Sequence, residues 1–461
     1  MLFRSLDVGR GAIDYGQFVG DPVGFELSGV GAIVNRGELA VGSSAAIGLL
    51  GGAVSSSGNL SAGEIAIAAT PGGYLRLSAP GSVLSLEIDR DRLSDNREPI
   101  RPIDLPSLLS GEVALSGTVV GDRLRIEAAG DVAIDGVQLD TTDSAIVRAG
   151  NRAIVRDATD RPTQIVTGGD LVVWGDREVD ILALGSAEPA FVSGGNLWLV
   201  SDGIISGDAN FQNGGSFLVA DTTGQPGTFV SFFDPIVRSS GNVFIGDYTG
   251  ASLKVEAGGT IVASNISITQ ADTLLAANAD DPDVAILTGE PSLIFRAGLS
   301  SRSGADDPPP IVSINGTDFF LTSDATLDRF ANRDIDFNTI TTAGGRVILD
   351  SPDSIDGNTI ATQGGAITAT AGQELLILDL DTSGVTGGNV TLSAGGSELS
   401  FITIDTSGTQ TGGDVSIQAT NAGIDNAALG IDTRGPDRGG NVTISANGTL
   451  RLVANDGDVN T

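Results

Sequence analysis

A pair of glycines, one further residue and then apolar side chains at every second position recur along this chain, mostly at intervals of 20 to 27 residues. The pairs are Gly168-Gly169, Gly194-Gly195, Gly214-Gly215, Gly258-Gly259, Gly344-Gly345, Gly364-Gly365, Gly387-Gly388, Gly412-Gly413 and Gly439-Gly440, with Ser240-Gly241 as a degenerate case. Short alternating runs repeated at that period mark stacked turns of a β-solenoid, in which no repeat closes its own interior and each is stabilised by its neighbours. Strand side chains alternate between two faces, so the second and fourth residues after each pair share one face. They are Leu171/Val173, Leu197/Leu199, Phe217/Val219, Ile261/Ala263, Val347/Leu349, Ile367/Ala369, Val390/Leu392, Val415/Ile417 and Val442/Ile444, and all are apolar. These positions are expected to form ladders along a common interior.

A second signature precedes the later pairs: Ile340-Thr341-Thr342, Ile360-Ala361-Thr362, Leu380-Asp381-Thr382, Ile404-Asp405-Thr406 and Ile431-Asp432-Thr433, each followed after one residue by glycine. β-Branched residues suit strands and glycine supplies the backbone of a tight corner, so apolar-x-Thr-x-Gly reads as a strand ending in a turn. The coil then has at least two faces. Sixty-five glycines, 5% aromatics and the absence of any sustained helical spacing agree with an almost entirely β chain.

Charge removes several classes of function. With 58 acidic and 25 basic residues the formal charge is −33, and Lys254 is the only lysine. Nucleic-acid binding, which needs a concentrated basic surface, is excluded as a partner class. The chain has no His and no Cys, so Ser-His-Asp and Cys-His catalysis and histidine-based metal sites are ruled out. Absence of cysteine also fits a secreted bacterial polypeptide that crosses membranes unfolded. No apolar run is long enough to span a bilayer as a helix.

The blocks Gly31-Ala-Ile-Val-Asn-Arg-Gly-Glu-Leu-Ala-Val-Gly, Ile47-Gly-Leu-Leu-Gly-Gly-Ala-Val, Gly58-Asn-Leu-Ser-Ala-Gly-Glu-Ile-Ala-Ile, Gly73-Tyr-Leu-Arg-Leu-Ser and Ser82-Val-Leu-Ser-Leu-Glu-Ile resemble the closing part of the secretion domain of filamentous-haemagglutinin-like exoproteins. The blocks Asp234-Pro-Ile-Val-Arg-Ser-Ser-Gly-Asn-Val-Phe and Tyr248-Thr-Gly-Ala-Ser-Leu-Lys-Val-Glu-Ala-Gly-Gly are similar to the β-strand-repeat shaft of the same large exoproteins. The resemblance implies a right-handed parallel β-helix, exported by two-partner secretion through an outer-membrane pore-type transporter, with adhesion as the family's usual role. It also implies a secreted or cell-surface location. The start, Met1-Leu2-Phe3-Arg4-Ser5-Leu6-Asp7, carries no secretory signal, and Val459-Asn460-Thr461 stops inside a repeat. The chain is therefore expected to be an internal piece of a longer protein.

Along the chain, residues 1–88 are expected to form the first β-helix section. The charged, proline-rich 89–110 is a linker, because proline breaks ladder hydrogen bonding. Residues 111–269 form the shaft. Residues 270–339, where the doublet is missing and Asp280-Asp-Pro-Asp and Asp306-Asp-Pro-Pro-Pro occur, form one long insertion or flap. Residues 340–461 form the most regular repeats.

Three candidate sites emerge. The outward positions Val172/Trp174, Trp198/Val200, Leu218/Ala220 and Phe244, continued by Val262 and Ile348, make an apolar stripe that includes both tryptophans. Two readings stand: the stripe is covered by the 270–339 insertion, with Phe295, Phe319 and Phe320 as the facing layer, or Trp174, Trp198 and Phe244 form an open platform that stacks on sugar rings or a partner. The second candidate is a structural calcium at Asp379-Leu-Asp-Thr-Ser-Gly, where Val390 stands in place of the bidentate glutamate, with Asn455-Asp-Gly-Asp weaker still. Turn aspartates that cap their own backbone are the ordinary alternative, and no cofactor is expected. The third is a carboxylate enzyme acting on polysaccharide, lyase or hydrolase, built on Asp334/Asp336 or Asp379/Asp381. Neither pair has a matching cluster on the next repeat, so the favoured expectation is a non-enzymatic, adhesin-like stalk with an unidentified cell-surface or carbohydrate ligand.

Overall fold

The computed structural model describes residues 24–27, 31–70, 73–77, 86–89, 111–186, 189–275, 281–299, 312–314, 317–319, 332–396, 398–421 and 423–452. They fall into two compact units. One comprises Met1–Ser206, Asp221–Thr223 and Ile311–Phe320, the other Gly207–Ala220, Gly224–Pro310 and Leu321–Thr461. Each is a stack of parallel strands.

In the first unit Val54, Val113, Val132, Ala153 and Val179 stand above one another, as do Leu60, Val119, Leu139, Ile165 and Phe191. Ile65, Leu124, Ala145, Leu171 and Leu197 form a third column. All fifteen are buried. Three apolar columns on three parallel ladders line one interior shared by the stacked coils, which is a parallel β-helix. The ladder passes directly from Val54 and Leu60 to Val113 and Val119, so the chain on either side of the expected linker belongs to one stack, and residues 90–110 themselves lie outside the described residues. Within the expected first section, Gly24–Leu27, Gly73–Leu77 and Leu86–Asp89 instead form a separate antiparallel sheet.

The second unit repeats the arrangement. Val347, Ile367, Val390, Val415 and Val442 are in register, beside the columns Ile335, Ile355, Leu375, Leu399, Ile424 and Ile340, Ile360, Leu380, Ile404, Ile431. All are buried except Val442, which is partly exposed. Farther up the chain the interior turns aromatic: Phe211 lies 5.4 Å from Phe217, both lie 6.4 Å from Phe229, and Phe229 lies 5.7 Å from Tyr248.

The glycine pairs have two different jobs at the corners. Gly344 and Gly364 sit at φ of 93° and 100°, a left-handed conformation that disfavours any side chain. The second glycine packs flat on the coil before it: a Cβ on Gly365 would lie 2.0 Å from the Gly345 carbonyl oxygen, and one on Gly388 or Gly413 would lie 2.2 Å from the equivalent oxygen of Gly365 or Gly388. The threonine ahead of each of the last five pairs is buried and donates its hydroxyl to the second glycine's carbonyl, from Thr342 to Gly345 (2.6 Å), Thr362 to Gly365 (2.5 Å), Thr382 to Gly388 (2.6 Å), Thr406 to Gly413 (2.7 Å) and Thr433 to Gly440 (3.1 Å). A buried carbonyl would otherwise go unpaired at every corner.

The interval 270–339 is not a single excursion. Leu293–Arg296 lies inside it and pairs in parallel with Leu253–Ala257 on one side and Val347–Ser351 on the other. The chain leaves the stack after Gln270, returns at Leu293, leaves again after Arg296 and returns at Ile335. The first departure carries a short helix, α1 (Val284–Gly289). The second carries an antiparallel hairpin of Val312–Ile314 and Thr317–Phe319.

Candidate functional site

The outward stripe is the first place to test for function, and it is buried. Trp198 is 0%, Phe244 5% and Trp174 6% exposed, and Val172, Val200, Leu218 and Ala220 are buried with them. Alternation does point these side chains away from the coil interior, but their outer side is enclosed too. The guanidinium of Arg148, one rung away in the same column, lies 5.1 Å from the centre of the Trp174 ring, and the indole N–H donates to Asp176 at 2.7 Å. The platform on which Trp174, Trp198 and Phe244 would stack a sugar is therefore not open. Phe295, expected in the facing layer, belongs to the coil interior: it stacks between Val255 and Leu349 and is fully buried. The side chains of Phe319 and Phe320 lie outside the described residues.

What the first excursion covers is a different column, and Ile348, expected to continue the stripe, belongs to it and not to the column through Phe244 and Val262. Ile236, Lys254, Ile294 and Ile348 are stacked in register on the outer face of the second unit. The excursion lies on them: Leu275, ahead of α1, and Leu287 of α1 are buried against Ile236 and Ile294, with Val284, Ile286 and Ile348 packed around the cluster. In the neighbouring column Arg238, Glu256, Arg296 and Asp350 alternate in charge rung by rung.

Asp281 and Asp283, at the start of α1, complete a cage of three cations and three anions. Lys254 is 2% exposed, and its ammonium lies 2.9 Å from Glu256, 2.9 Å from Asp281 and 2.8 Å from Asp283. Arg238 donates to Asp281 at 2.6 Å and Arg296 to Asp283 at 2.9 Å. Burial pulls the Lys254 ammonium down, but hydrogen bonds to Asp283, Glu256 and Asp281 outweigh it and hold it above its ordinary value. The Arg296 hydrogen bond, helped by Lys254 and opposed by burial, holds Asp283 down at about 2.

Magnitudes separate the two contributions. Burying two leucines and parts of Val284 and Ile286 stabilises the cover by roughly 4–8 kcal/mol, whereas a satisfied buried ion cluster comes close to breaking even against its desolvation. The apolar face holds α1 down, and the cage fixes where it sits. No lysine elsewhere competes for this place, since the chain has only one. That solitary lysine among outward apolar positions was the signal in the sequence that could have located the cage.

Of the carboxylates considered for catalysis, Asp334, Asp379 and Asp381 accept hydrogen bonds from the scaffold. Asp334 Oδ1 accepts the Ser354 N–H at 2.9 Å, one rung of a recurring device in which the residue after the corner receives an N–H from the next coil; Asn242, Asn389 and Asp414 do the same for Thr260, Asp414 and Asn441. Asp336 is buried in the outward column that runs through Phe244 and Val262. Asp379 accepts the Thr403 hydroxyl at 2.6 Å, and Asp381 accepts the Ser383 N–H at 2.8 Å. Asp381, Asp405 and Asp432 are stacked in register, and each caps the backbone N–H two residues on. That is the ordinary turn role weighed against calcium. Among the described residues no group of three or more acidic side chains is disposed to hold a metal ion, and Asn455 to Asp458 lie outside them.

The open surface of the regular repeats is polar. Thr368, Thr391, Ser416 and Thr443 stack in register and are exposed, and Thr370, Ser393, Gln418 and Ser445 form the next column. Beside the Thr corners, Gly384–Thr386 pairs in parallel with Gly408–Thr411, and Thr411 bridges to Arg438. This small outer ladder borders a shallow groove lined by Ser407, Gly408, Arg434, Gly435, Pro436 and Gly439. Among the described residues no helix is long and apolar enough to cross a membrane. Comparison with protein-family models, with curated proteins and with solved structures finds no match to the chain.

Proposed function

We propose that the chain is part of a non-catalytic, adhesin-like stalk, secreted or held at the cell surface, that works by presenting one surface many times over. The observation that carries this reading is the double column from Thr368 and Thr370 to Thr443 and Ser445, exposed at every position but the half-buried Ser393. Rungs about 4.8 Å apart repeat the same hydroxyl contact, and weak contacts at a fixed spacing add up through effective concentration. A carbohydrate-bearing cell surface is the matching ligand class, since hydroxyl and amide side chains pair with sugar hydroxyls without opposing the chain's charge of −33. Export through an outer-membrane pore-type transporter accompanies this reading through the family resemblance.

Microspheres coated with the purified protein should be retained on glycan-coated glass under flow far better than albumin-coated ones. Replacing Thr368, Thr391, Ser416 and Thr443 together by Ala should abolish most of that retention while the unfolding midpoint shifts little, because all four side chains are exposed. Retention no better than albumin defeats the adhesive reading. Release of oligosaccharides from an acidic polysaccharide, lost in Asp379→Asn, would establish the enzyme in its place.

A further inference from the structure

Beneath the root of the α1 excursion, Asn210 donates an Nδ2–H to Asp234 Oδ2 at 2.9 Å. The other oxygen of each partner, Asp234 Oδ1 and Asn210 Oδ1, is buried with no hydrogen-bond partner, and Asp234 as a whole is 7% exposed. Both orphans are acceptors, on two planar groups already joined by one N–H···O bond. With the carboxyl ionised both stay bare, a penalty of about 1–3 kcal/mol for each. A proton on Asp234 Oδ1 turns one of the two bare acceptors into a donor, which is what a reciprocal acid–amide pair between two groups already joined by one N–H···O bond requires. Flipping the Asn210 amide exchanges its two atoms and still requires that proton.

We propose that Asp234 binds a proton in the folded protein and shares it with the Asn210 carbonyl, forming a neutral pair that lets Asp234 lie against the carboxylate of Asp272. Asp272 Oδ2 accepts the Asp234 N–H at 2.6 Å, its Oδ1 accepts the Leu274 N–H at 3.2 Å, and its own N–H donates to the Leu287 carbonyl of α1. Asp234 is held at a φ of 56°, a left-handed conformation that aspartate tolerates better than most residues. The charged groups facing this pocket are Asp272, Asp208 and Arg238, with the Tyr248 phenol nearby. Asp208 is engaged by the Ser231 hydroxyl and the N–H groups of Phe232 and Phe233.

Burial, then the charge of Asp272, pushes the Asp234 carboxyl up to about 7 against the pull of Asn210 and Arg238. Burial also raises Asp272, against backbone N–H bonds from Asp234, Leu274 and Leu275 and with Asp208 adding to the rise. Burial, with Asp208 and Asp272, keeps the Tyr248 phenol protonated. A folded-state value above the ordinary 3.8 gives a contribution to stability that is complete below that value and lost as pH rises to about 7. The proton thus links pH to how firmly Asp272 and α1 are anchored.

The test compares wild type with Asp234→Asn, whose amide reproduces the neutral acid. Unfolding followed at several pH values should show the folded-to-unfolded ratio of wild type falling relative to the variant by up to about tenfold per pH unit between about pH 4 and 7, with the two curves parallel above. Independently of any variant, the infrared carbonyl band of a protonated carboxyl should be present in wild type near pH 6, about one unit below the midpoint, vanish on alkaline titration and be missing from Asp234→Asn. Parallel stability curves throughout, or no such band in wild type, overturn the proposal. So does stabilisation of wild type, but not of the variant, by added sodium or calcium above the midpoint, which would make the occupant a metal cation.

Discussion

At the level of single residues, the fold depends on polar atoms that sit inside an otherwise apolar stack. Each corner threonine is buried with its hydroxyl on a glycine carbonyl, and Thr362 is fully buried 2.5 Å from the Gly365 oxygen. Thr362→Val keeps the shape and removes the donor, and is expected to destabilise the protein by about 1–3 kcal/mol. The same change at exposed Thr368 should stay within about 0.5 kcal/mol. Denaturant unfolding of the two variants makes the comparison, and equal effects would mean the corner bond contributes nothing. The apolar-x-Thr-x-Gly spacing announced these corners, but not what the threonine does. Nor could the sequence announce that Gly357 exists to admit the Phe337 ring, on which a Cβ would stand 2.0 Å away. The two are a full repeat apart in sequence and meet only because Phe337 and Gly357 share a rung position.

At the level of elements, the α1 cover depends for its position on one side chain, Lys254, which meets three carboxylates. Lys254→Met removes the only ammonium in the cage and leaves Glu256, Asp281 and Asp283 with the two arginines. Breaking a buried cluster on one side is expected to cost about 3–5 kcal/mol, and amide exchange at Leu275 and Leu287 should accelerate more than exchange at Val390 or Val415. Unchanged exchange in α1 would show that its apolar face alone positions it. The cage also has an acid limit. Asp283 is depressed to about 2 from an ordinary 3.8, so its contribution is present above the ordinary value and lost as pH falls toward 2. α1 is therefore expected to loosen in acid through Asp283, while the Asp234 proton works in the opposite sense at higher pH. The helix α1 was not legible beforehand, because six residues are too short to declare a period; of the cage, only the solitary Lys254 stood out, since the other members, Glu256 apart, come from three other segments.

For the chain as a whole, charge is the property that acts everywhere at once. A net −33 repels itself in the folded state, and the repulsion is screened within about 8 Å at physiological ionic strength. Raising sodium chloride from about 0.01 M to 0.15 M, which shortens the screening length from about 30 Å to 8 Å, should raise the melting temperature; a fall would mean that local pairs such as Arg123–Asp143 and Arg152–Asp131 outweigh the global repulsion. The division into repeats was legible across most of the chain: the inward columns that end at Val390, Val415 and Val442 follow the predicted alternation residue for residue. The outward direction of the stripe was legible in the alternation, but the choice between a covered stripe and an open platform was not, since alternation tells which face a side chain takes and nothing about what lies on that face.

The amino-acid sequence by itself determined the coil: the period, the glycine corners and the alternation of apolar residues are local properties, each enforced by the chain's own backbone geometry and by identical neighbours one repeat away. Only the tertiary structure decided which outward positions are wet, where the single lysine finds its three carboxylates, and that Asp234 meets Asn210 with one proton wanting between them. Those outcomes depend on excursions of irregular length that bring distant residues together without any repeating pattern, and a period carries no information about an interruption of itself.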